Sequence, residues 1–156
     1  MALTEHDDLR EHKALVTGAT SGIGRAIAVQ FGRMGAEVLV HGRATTRGGQ
    51  VVEEIERVGG RARFVAADLS DPADLQRLLE DVGDVDLLVN SAGFSWFGPS
   101  ADLDVDTFDA LFAIDVRAHR LDADGRCGAC RTTQCTLRDE ISHALLPIRS
   151  APTDGG

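Results

Sequence analysis

Residues Thr17 to Gly24 read Thr-Gly-Ala-Thr-Ser-Gly-Ile-Gly, and their types and spacing suit binding chemistry better than any other segment of the chain. Glycine lets the backbone approach a bound group closely and adopt conformations that other residues avoid. A helix that begins at the end of such a run offers free N–H groups and a partial positive charge to an anion. The spacing is Gly-x-x-x-Gly-x-Gly rather than the more common Gly-x-Gly-x-x-Gly. The segment therefore predicts a loop that binds a pyrophosphate, and the alternative is a tight strand-to-helix turn with no ligand.

The sequence around this loop alternates between short apolar runs and stretches with helical periodicity. Such alternation is typical of βαβ units, in which right-handed helical crossovers join parallel strands. We therefore predict an α/β fold with a Rossmann-type doubly wound parallel sheet, in strand order 3-2-1-4, truncated after the fourth strand and its following helix. The predicted strands are Ala14–Val16, Glu37–His41, Arg61–Ala67 and Val85–Asn90.

The helices that join these strands are indicated by apolar spacing and by end signals. Ile23, Ile27 and Phe31 recur every four residues, which predicts the buried face of the first helix. Asp71 before Pro72 predicts the N-cap and first residue of the third helix. The apolar residues predicted for the other helices are Val51, Val52, Ile55 and Val58, then Leu75, Leu78, Leu79 and Val82, and last Phe108, Leu111, Phe112 and Val116.

Three further motifs follow the glycine loop in order along the chain. Asp68-Leu69 comes after the third predicted strand, Asn90-Ser91-Ala92-Gly93 ends the fourth, and Asp104 to Val116 forms the last helix. Together with Thr-Gly-x-x-x-Gly-Ile-Gly, these motifs resemble the short-chain dehydrogenase/reductase family, whose fourth-strand motif is Asn-Asn-Ala-Gly. The resemblance runs from about Lys13 to Ala118.

The resemblance implies that these motifs surround a bound dinucleotide. Asp68 would accept a hydrogen bond from the adenine amino group with Leu69 against the ring, and the alternative for Asp68 is a helix-capping role. The Asn90 to Gly93 motif would border the adenosine half, and the alternative is an ordinary turn. The cofactor-binding residues implied by the resemblance are Gly18, Thr20, Ser21, Gly22, Ile23, Gly24, Asp68, Leu69, Asn90, Ala92 and Gly93.

The end of the second strand indicates which dinucleotide is preferred. An acidic residue there would hold the ribose hydroxyls of NAD and repel a 2′-phosphate. This chain has His41-Gly42-Arg43 instead, and the guanidinium of Arg43 suits a phosphate. We therefore predict NADP as the cofactor, with Arg43 in its site; the alternative is that Arg43 is a solvated loop charge.

The residues that perform hydride-transfer chemistry in the resembled family have no counterparts in this sequence. The family uses a Tyr as general acid, a Lys four residues later and a Ser that orients the substrate. This chain has no tyrosine, and Lys13 is its single lysine. The active-site Asn of the family would fall at Asp115, and an ionised carboxylate cannot donate a hydrogen bond. We therefore assign no catalytic residue.

The composition changes near residue 118. We predict an NAD(P)-binding half-Rossmann domain over 1–118 and an unmatched tail over 119–156. The tail is either the product of out-of-frame translation or truncation, or a disordered segment. All aromatic residues precede the tail, and all cysteines lie in it. Cys127, Cys130 and Cys135 near His119 and His143 permit a zinc-site alternative, but one Cys-x-x-Cys pair without a second is weak, so we predict no metal.

Net charge and hydropathy limit the partners. A formal charge of −9 argues against nucleic-acid and anionic-membrane surfaces, yet leaves a dinucleotide open because backbone N–H groups can bind it. No apolar run approaches a membrane span, and residues 1–13 lack the apolar core of a signal peptide, so we predict a cytoplasmic protein. The main hypothesis is a truncated, inactive NADP-dependent carbonyl/alcohol oxidoreductase that self-associates through an exposed sheet edge. The alternative is a non-catalytic nucleotide-binding or interaction module.

Overall fold

The computed structural model describes residues 9–93 and 95–115, which form a parallel sheet with helices on both faces. The four strands are β1 (Lys13–Val16), β2 (Glu37–Gly42), β3 (Arg61–Ala66) and β4 (Leu87–Val89), in the order β3-β2-β1-β4. The helices are α1 (Gly22–Arg33), α2 (Thr45–Arg57), α3 (Pro72–Val82) and α4 (Val105–Asp115), with a 3-10 turn at Ser100–Asp102. The predicted fold class and strand order are therefore confirmed, while the fourth strand is shorter than predicted.

The central strands are buried on both faces, as expected where helices cover a parallel sheet. Because side chains alternate along a strand, Val38 and Val40 face one core and Leu39 faces the other. The first core lies beneath α1 and α2 and contains Val51 and Ile55. The second lies beneath α3 and contains Leu78. Two cores fix the sheet from both sides and leave its carboxyl edge free for loops.

The buried face of α1 differs in part from the predicted one. Ile27 and Phe31 are partly buried and pack against the first core, as predicted, but Ile23 is 76% exposed. The fully buried residues of α1 are Gly24, Ala28, Val29 and Gly32. The glycines let α1 approach its neighbours closely, and a Cβ built on Gly32 would lie 2.5 Å from Ile55 Cγ2 of α2. The expectation that Ile23 packs in the core was therefore wrong.

The predicted start of α3 is confirmed. Asp71 is the N-cap, and its carboxylate accepts a hydrogen bond of 2.8 Å from the Ala73 amide while Pro72 occupies the first helical position. An ion pair between Glu53 and Arg57 forms on α2, at 2.9 Å. Neither residues 9–93 nor 95–115 contain a helix of the length and apolar character that crossing a membrane requires.

Candidate functional site

A cavity of about 590 Å³ opens at the carboxyl edge of the sheet. It lies beyond the ends of all four strands, which is where ligands bind in open α/β sheets. The side chains and backbone around it belong to the loop before α1, the segment after β2, the segment after β3, the segment after β4 and the end of α4. The lining residues are Gly18, Thr20, Ser21, Gly22, Ile23, His41, Gly42, Arg43, Arg47, Ala67, Asp68, Leu69, Ser91, Ala92, Gly93 and Ile114.

The first glycine of the loop is required by both conformation and contact. Gly18 has φ +65°, and a Cβ built on it would lie 2.7 Å from Ala92 Cα and 2.9 Å from the Ser91 carbonyl oxygen. A Cβ on Gly24 would lie 2.7 Å from the Gly18 carbonyl oxygen. Gly22 also has a positive φ, +55°, but open space surrounds its Cβ position. The loop therefore packs tightly against the segment after β4 while its Gly22 end faces the cavity.

Thr17 holds these two segments together. Its buried hydroxyl oxygen accepts hydrogen bonds of 3.1 Å from the amides of Ser91 and Ala92. The same hydroxyl group donates a hydrogen bond of 3.3 Å to the Val89 carbonyl oxygen. The Thr17 amide also donates to the Val89 carbonyl at 2.9 Å. One side chain thus satisfies three backbone groups where the sheet gives way to loops.

His41 links the glycine loop to the segment after β3. The side chain is buried, its Nδ1 lies 3.4 Å from the Gly18 amide, and its Nε2 lies 3.2 Å from the Ala67 carbonyl oxygen. Burial lowers the pKa of His41, opposed by the Ala67 carbonyl and by the charge of Asp68. We did not predict this role, although a histidine between an apolar strand and Gly42 is a signal that its ring needs polar partners.

Asp68 faces in two directions. Its Oδ1 accepts hydrogen bonds from the Ser70 hydroxyl at 2.7 Å and the Ser70 amide at 2.9 Å, and its Oδ2 lies 4.0 Å from Nη1 of Arg43. The Ser70 bonds, with the nearby Arg43 charge, lower the pKa of Asp68. The carboxylate is thus ionised and half-exposed beside the cavity, and it is Asp71, not Asp68, that accepts the amide bond at the start of α3.

The end of α4 approaches the cavity from the fourth-strand side. Ile114 lines the cavity, and a Cβ built on Gly93 would lie 2.8 Å from Asp115 Oδ1. At its other end, α4 is preceded by Asp104, whose carboxylate accepts a hydrogen bond from the Thr107 amide at 2.7 Å. Asp115 therefore lies close to the loop that follows β4, and its correspondence to the active-site Asn of the family stays a prediction.

Most residues singled out from the sequence converge on this cavity, although which of them bind a ligand stays a prediction. The ones that line it are Gly18, Thr20, Ser21, Gly22, Ile23, Arg43, Asp68, Leu69, Ala92 and Gly93. Gly24, in α1, and Asn90, directly after β4, are not part of the lining, but each is adjacent in sequence to a lining residue. The lining residues that we did not predict are His41, Gly42, Arg47, Ala67, Ser91 and Ile114.

Lys13 lies at the opposite edge of the sheet from the cavity. It begins β1, and its ammonium group donates a hydrogen bond of 2.6 Å to the Val82 carbonyl oxygen. Its amide donates to the carboxylate of Asp86 at 2.8 Å. Lys13 thus joins the amino ends of the strands and makes no contact with the cavity.

The predictions for the tail lie outside the described residues, including those for His119, Cys127, Cys130, Cys135 and His143, and so does Val116 of the last helix. Within the ranges 9–93 and 95–115, no group of three or more His, Cys, Asp or Glu side chains is arranged to hold a metal ion. The boundary at residue 118 stays a prediction.

Comparison with known proteins matches the part of the chain that the structure describes, and some alignments extend beyond it. The family model for short chain dehydrogenase matches residues 12–121. Hydroxynaphthalene reductase-like protein Arp2 of Metarhizium majus is 34% identical over 156 aligned residues, covering 91% of this chain and 58% of that protein. Versicolorin reductase stcU of Emericella nidulans is 38% identical over 109 residues, covering 67% of this chain and 41% of that protein. The chain spans about half the length of these curated relatives.

Solved structures give the same result. The structure of landomycin C-6 ketoreductase LanV with bound NADP and rabelomycin has 39% sequence identity and a TM-score of 0.64, covering 71% of this chain and 50% of that one. A short chain dehydrogenase from Burkholderia cenocepacia J2315 in complex with NADP has 37% identity and a TM-score of 0.67, covering 79% and 51%.

The parallel sheet, its strand order and the glycine loop at its carboxyl edge define a Rossmann-type α/β protein. Within this class, the family match over residues 12–121 and the sequence identity to proteins of solved structure identify one family. The chain belongs to the short chain dehydrogenase family.

Proposed function

We propose that this chain binds NADP(H) in the cavity at the carboxyl edge of the sheet, as the cofactor-binding part of a short-chain oxidoreductase. The observation that carries the proposal is the convergence of the glycine loop, Arg43, Asp68 and the segment after β4 on one cavity of about 590 Å³. Cavities of this size are typical of cofactor sites. When bound, the nicotinamide of this cofactor supplies or accepts a hydride.

The residues present fit a pyrophosphate at the start of α1. Ser21 is the N-cap residue but makes no side-chain hydrogen bond to the helix, so it leaves the first N–H groups of α1 without that partner. No acidic residue lies in the first turn of α1, and Gly22 keeps the approach open. An anion at this point gains both the N–H groups and the partial positive charge of the helix.

The preference for NADP over NAD rests on Arg43. Its guanidinium is 73% exposed, belongs to the cavity lining and has only a long contact of 4.0 Å with Asp68, so it is available to a phosphate. The NADP named in the structures of LanV and of the Burkholderia enzyme supports the same choice.

Cofactor affinities of the purified chain, measured by calorimetry, test this proposal. We expect Arg43→Ala to weaken NADP+ binding by about three- to tenfold, which corresponds to the loss of one exposed charge-assisted hydrogen bond. The same variant should leave NAD+ binding unchanged. Arg57→Ala is the matched control, because it removes an exposed guanidinium from the far end of α2. Equal affinities of the unaltered chain for NAD+ and NADP+ would contradict the preference.

We also propose that this chain by itself does not turn over a carbonyl or alcohol substrate. Reduction of a carbonyl needs a proton donor, and loss of general acid–base catalysis costs about 10²–10⁴-fold. The sequence has no tyrosine, and Lys13 is bonded at the far edge of the sheet. NADPH oxidation against a panel of ketones and aldehydes should stay at background. Saturable turnover that disappears in Gly22→Asp would refute this and favour an active enzyme.

The alternative of a binding or interaction module is favoured by exposed apolar side chains of α4 and of the segment that precedes it. Phe97, Phe108 and Phe112 are 91%, 46% and 53% exposed, and the rings of Phe108 and Phe112 are 4.8 Å apart. Among the described strands, β4 is paired on one side only, with β1. We propose self-association through this edge and face, which would appear as concentration-dependent elution in size-exclusion chromatography.

A cytoplasmic location also stays a proposal.

A further inference from the structure

His41 is a buried, titratable side chain at the centre of the loops that form the cavity. It is 3% exposed, and its ring lies between the Gly18 amide, 3.4 Å from Nδ1, and the Ala67 carbonyl oxygen, 3.2 Å from Nε2. Its own carbonyl oxygen accepts a hydrogen bond of 2.9 Å from the Ala19 amide. One residue of β2 therefore contacts both the glycine loop and the segment after β3.

These partners determine the protonation state of the ring. A backbone amide only donates and a backbone carbonyl only accepts, so Nδ1 must carry a lone pair and Nε2 must carry the hydrogen. This is the neutral Nε2–H tautomer, and burial favours it by lowering the pKa of His41. The charged groups that line the cavity are Arg43, Arg47 and Asp68, and Asp115 lies beside Gly93. Of these, Asp68 acts on His41 and opposes the effect of burial on its pKa.

We infer that His41 is a positioning residue of the glycine loop, which holds the Gly18 amide through Nδ1 and keeps the loop in the conformation that binds the dinucleotide. The inference rests on the proposed function for the identity of the ligand. Gly18 has φ +65° and packs against Ala92, so its conformation is fixed by Ala92 on one side and by His41 on the other.

A pH dependence follows from the geometry. A proton on Nδ1 would place two donors, the ring N–H and the Gly18 N–H, against each other and end the hydrogen bond. Cofactor affinity should therefore be full while His41 is neutral and should fall as the pH decreases through the lowered pKa of His41.

Two amide variants separate the two bonds of the ring. His41→Asn places an oxygen near the position of Nδ1 and can still accept from Gly18, whereas His41→Gln places an amide near Nε2 and can still donate to Ala67. We expect His41→Asn to bind NADP+ like the unaltered chain near neutral pH, and His41→Gln to bind about three- to tenfold more weakly, as for one lost hydrogen bond. Circular dichroism of each variant at each pH checks that the chain is folded.

The pH profile is the reading that a merely structural role would not change. From about pH 7.5 down to the lowest pH at which both proteins stay folded, the unaltered chain should lose more affinity for NADP+ than His41→Asn does. The 2′-phosphate of the ligand itself takes up a proton near pH 6, as phosphate monoesters do, but equally for both proteins, so their difference reports His41. Parallel profiles for these two proteins, or unchanged binding by His41→Gln, would overturn the inference.

Hydrogen exchange of the Gly18 amide separates this inference from the proposed function. No binding of NADP+ by the unaltered chain near pH 7.5 would refute the function, and the exchange measurement needs no ligand. Relative to the Leu39 amide in β2, the Gly18 amide should exchange faster in His41→Gln than in His41→Asn at the same pH. Equal exchange in the two variants would refute the role of His41.

Discussion

Replacing Gly18 by alanine tests the packing of the glycine loop most directly. Alanine at φ +65° pays the strain of the left-handed region, about 1–2 kcal/mol, partly offset by about 0.4–1 kcal/mol because the unfolded chain is less flexible. The new methyl group would also lie 2.7 Å from Ala92 Cα, 2.8 Å from the Ala92 nitrogen and 2.9 Å from the Ser91 carbonyl oxygen. All three are backbone atoms, which cannot rotate away as a side chain can.

The matched control is Gly22→Ala in the same loop. Gly22 has φ +55°, close to that of Gly18, but nothing lies within 4 Å of its Cβ position. The strain and the unfolded-state effect are thus shared, and only Gly18→Ala adds overpacking, about 1–3 kcal/mol. We expect Gly22→Ala to cost about 1 kcal/mol of unfolding free energy and Gly18→Ala about 2–4 kcal/mol.

Urea unfolding of the three proteins, followed by circular dichroism, measures this difference. The comparison requires equal m-values, which show that the unfolded states are equally exposed. Equal free energies of unfolding for the two variants would refute the reasoning, because they would mean that the segment after β4 does not press against Gly18.

Two further predictions concern the segment after β3. Asp71→Ala removes the N-cap of α3 and should lower the free energy of unfolding by about 1 kcal/mol. The control Asp84→Ala removes an exposed carboxylate after α3 and should leave the free energy of unfolding nearly unchanged. Urea unfolding compares the two variants, and equal losses would contradict the capping role. Ser70→Ala should raise the pKa of Asp68 toward its ordinary value, measured by carbon NMR of the carboxylate. Because the folded-state pKa of Asp68 is lowered, its contribution to stability is present above about pH 4 and is lost as the pH falls through that lowered pKa. The loss of stability in acid should therefore be smaller in Ser70→Ala. An unchanged pKa of Asp68 in this variant would count against the role of Ser70.

The motifs were sufficient to predict the fold, because each of them marks a point where a strand gives way to a helix. Gly18 and Asp68 each come two residues after the end of a strand, β1 and β3, and parallel strands bring their carboxyl ends to one edge. The cavity could thus be anticipated from chain order alone, without knowledge of any long-range contact.

The sequence was less informative where a contact depends on small or polar groups. Gly24, Ala28 and Gly32 form much of the buried face of α1, but hydrophobic periodicity gives them little weight and favours Ile23 instead. His41 stands in an apolar strand, and its partners are backbone groups of Gly18 and Ala67, which no pattern of side chains encodes. Both errors concern close approach of backbone, a property of the folded geometry.

The acidic composition of the chain and the anionic ligand proposed for it are compatible because charge acts locally. The net charge of −9 is carried by residues 1–118, because the arginines and acidic residues of 119–156 balance each other. At physiological ionic strength, exposed charges are screened beyond about 8 Å. At the cavity the cationic groups are Arg43 and Arg47, with Asp68 opposite and His41 held neutral by burial. The bonds from Ser70 keep Asp68 ionised, so its contact with Arg43 lowers the attraction of that arginine for a phosphate. The positive potential that attracts the phosphates must therefore also come from Arg47, at the start of α2, and from the N–H groups at the start of α1. Neither source requires the protein as a whole to be basic.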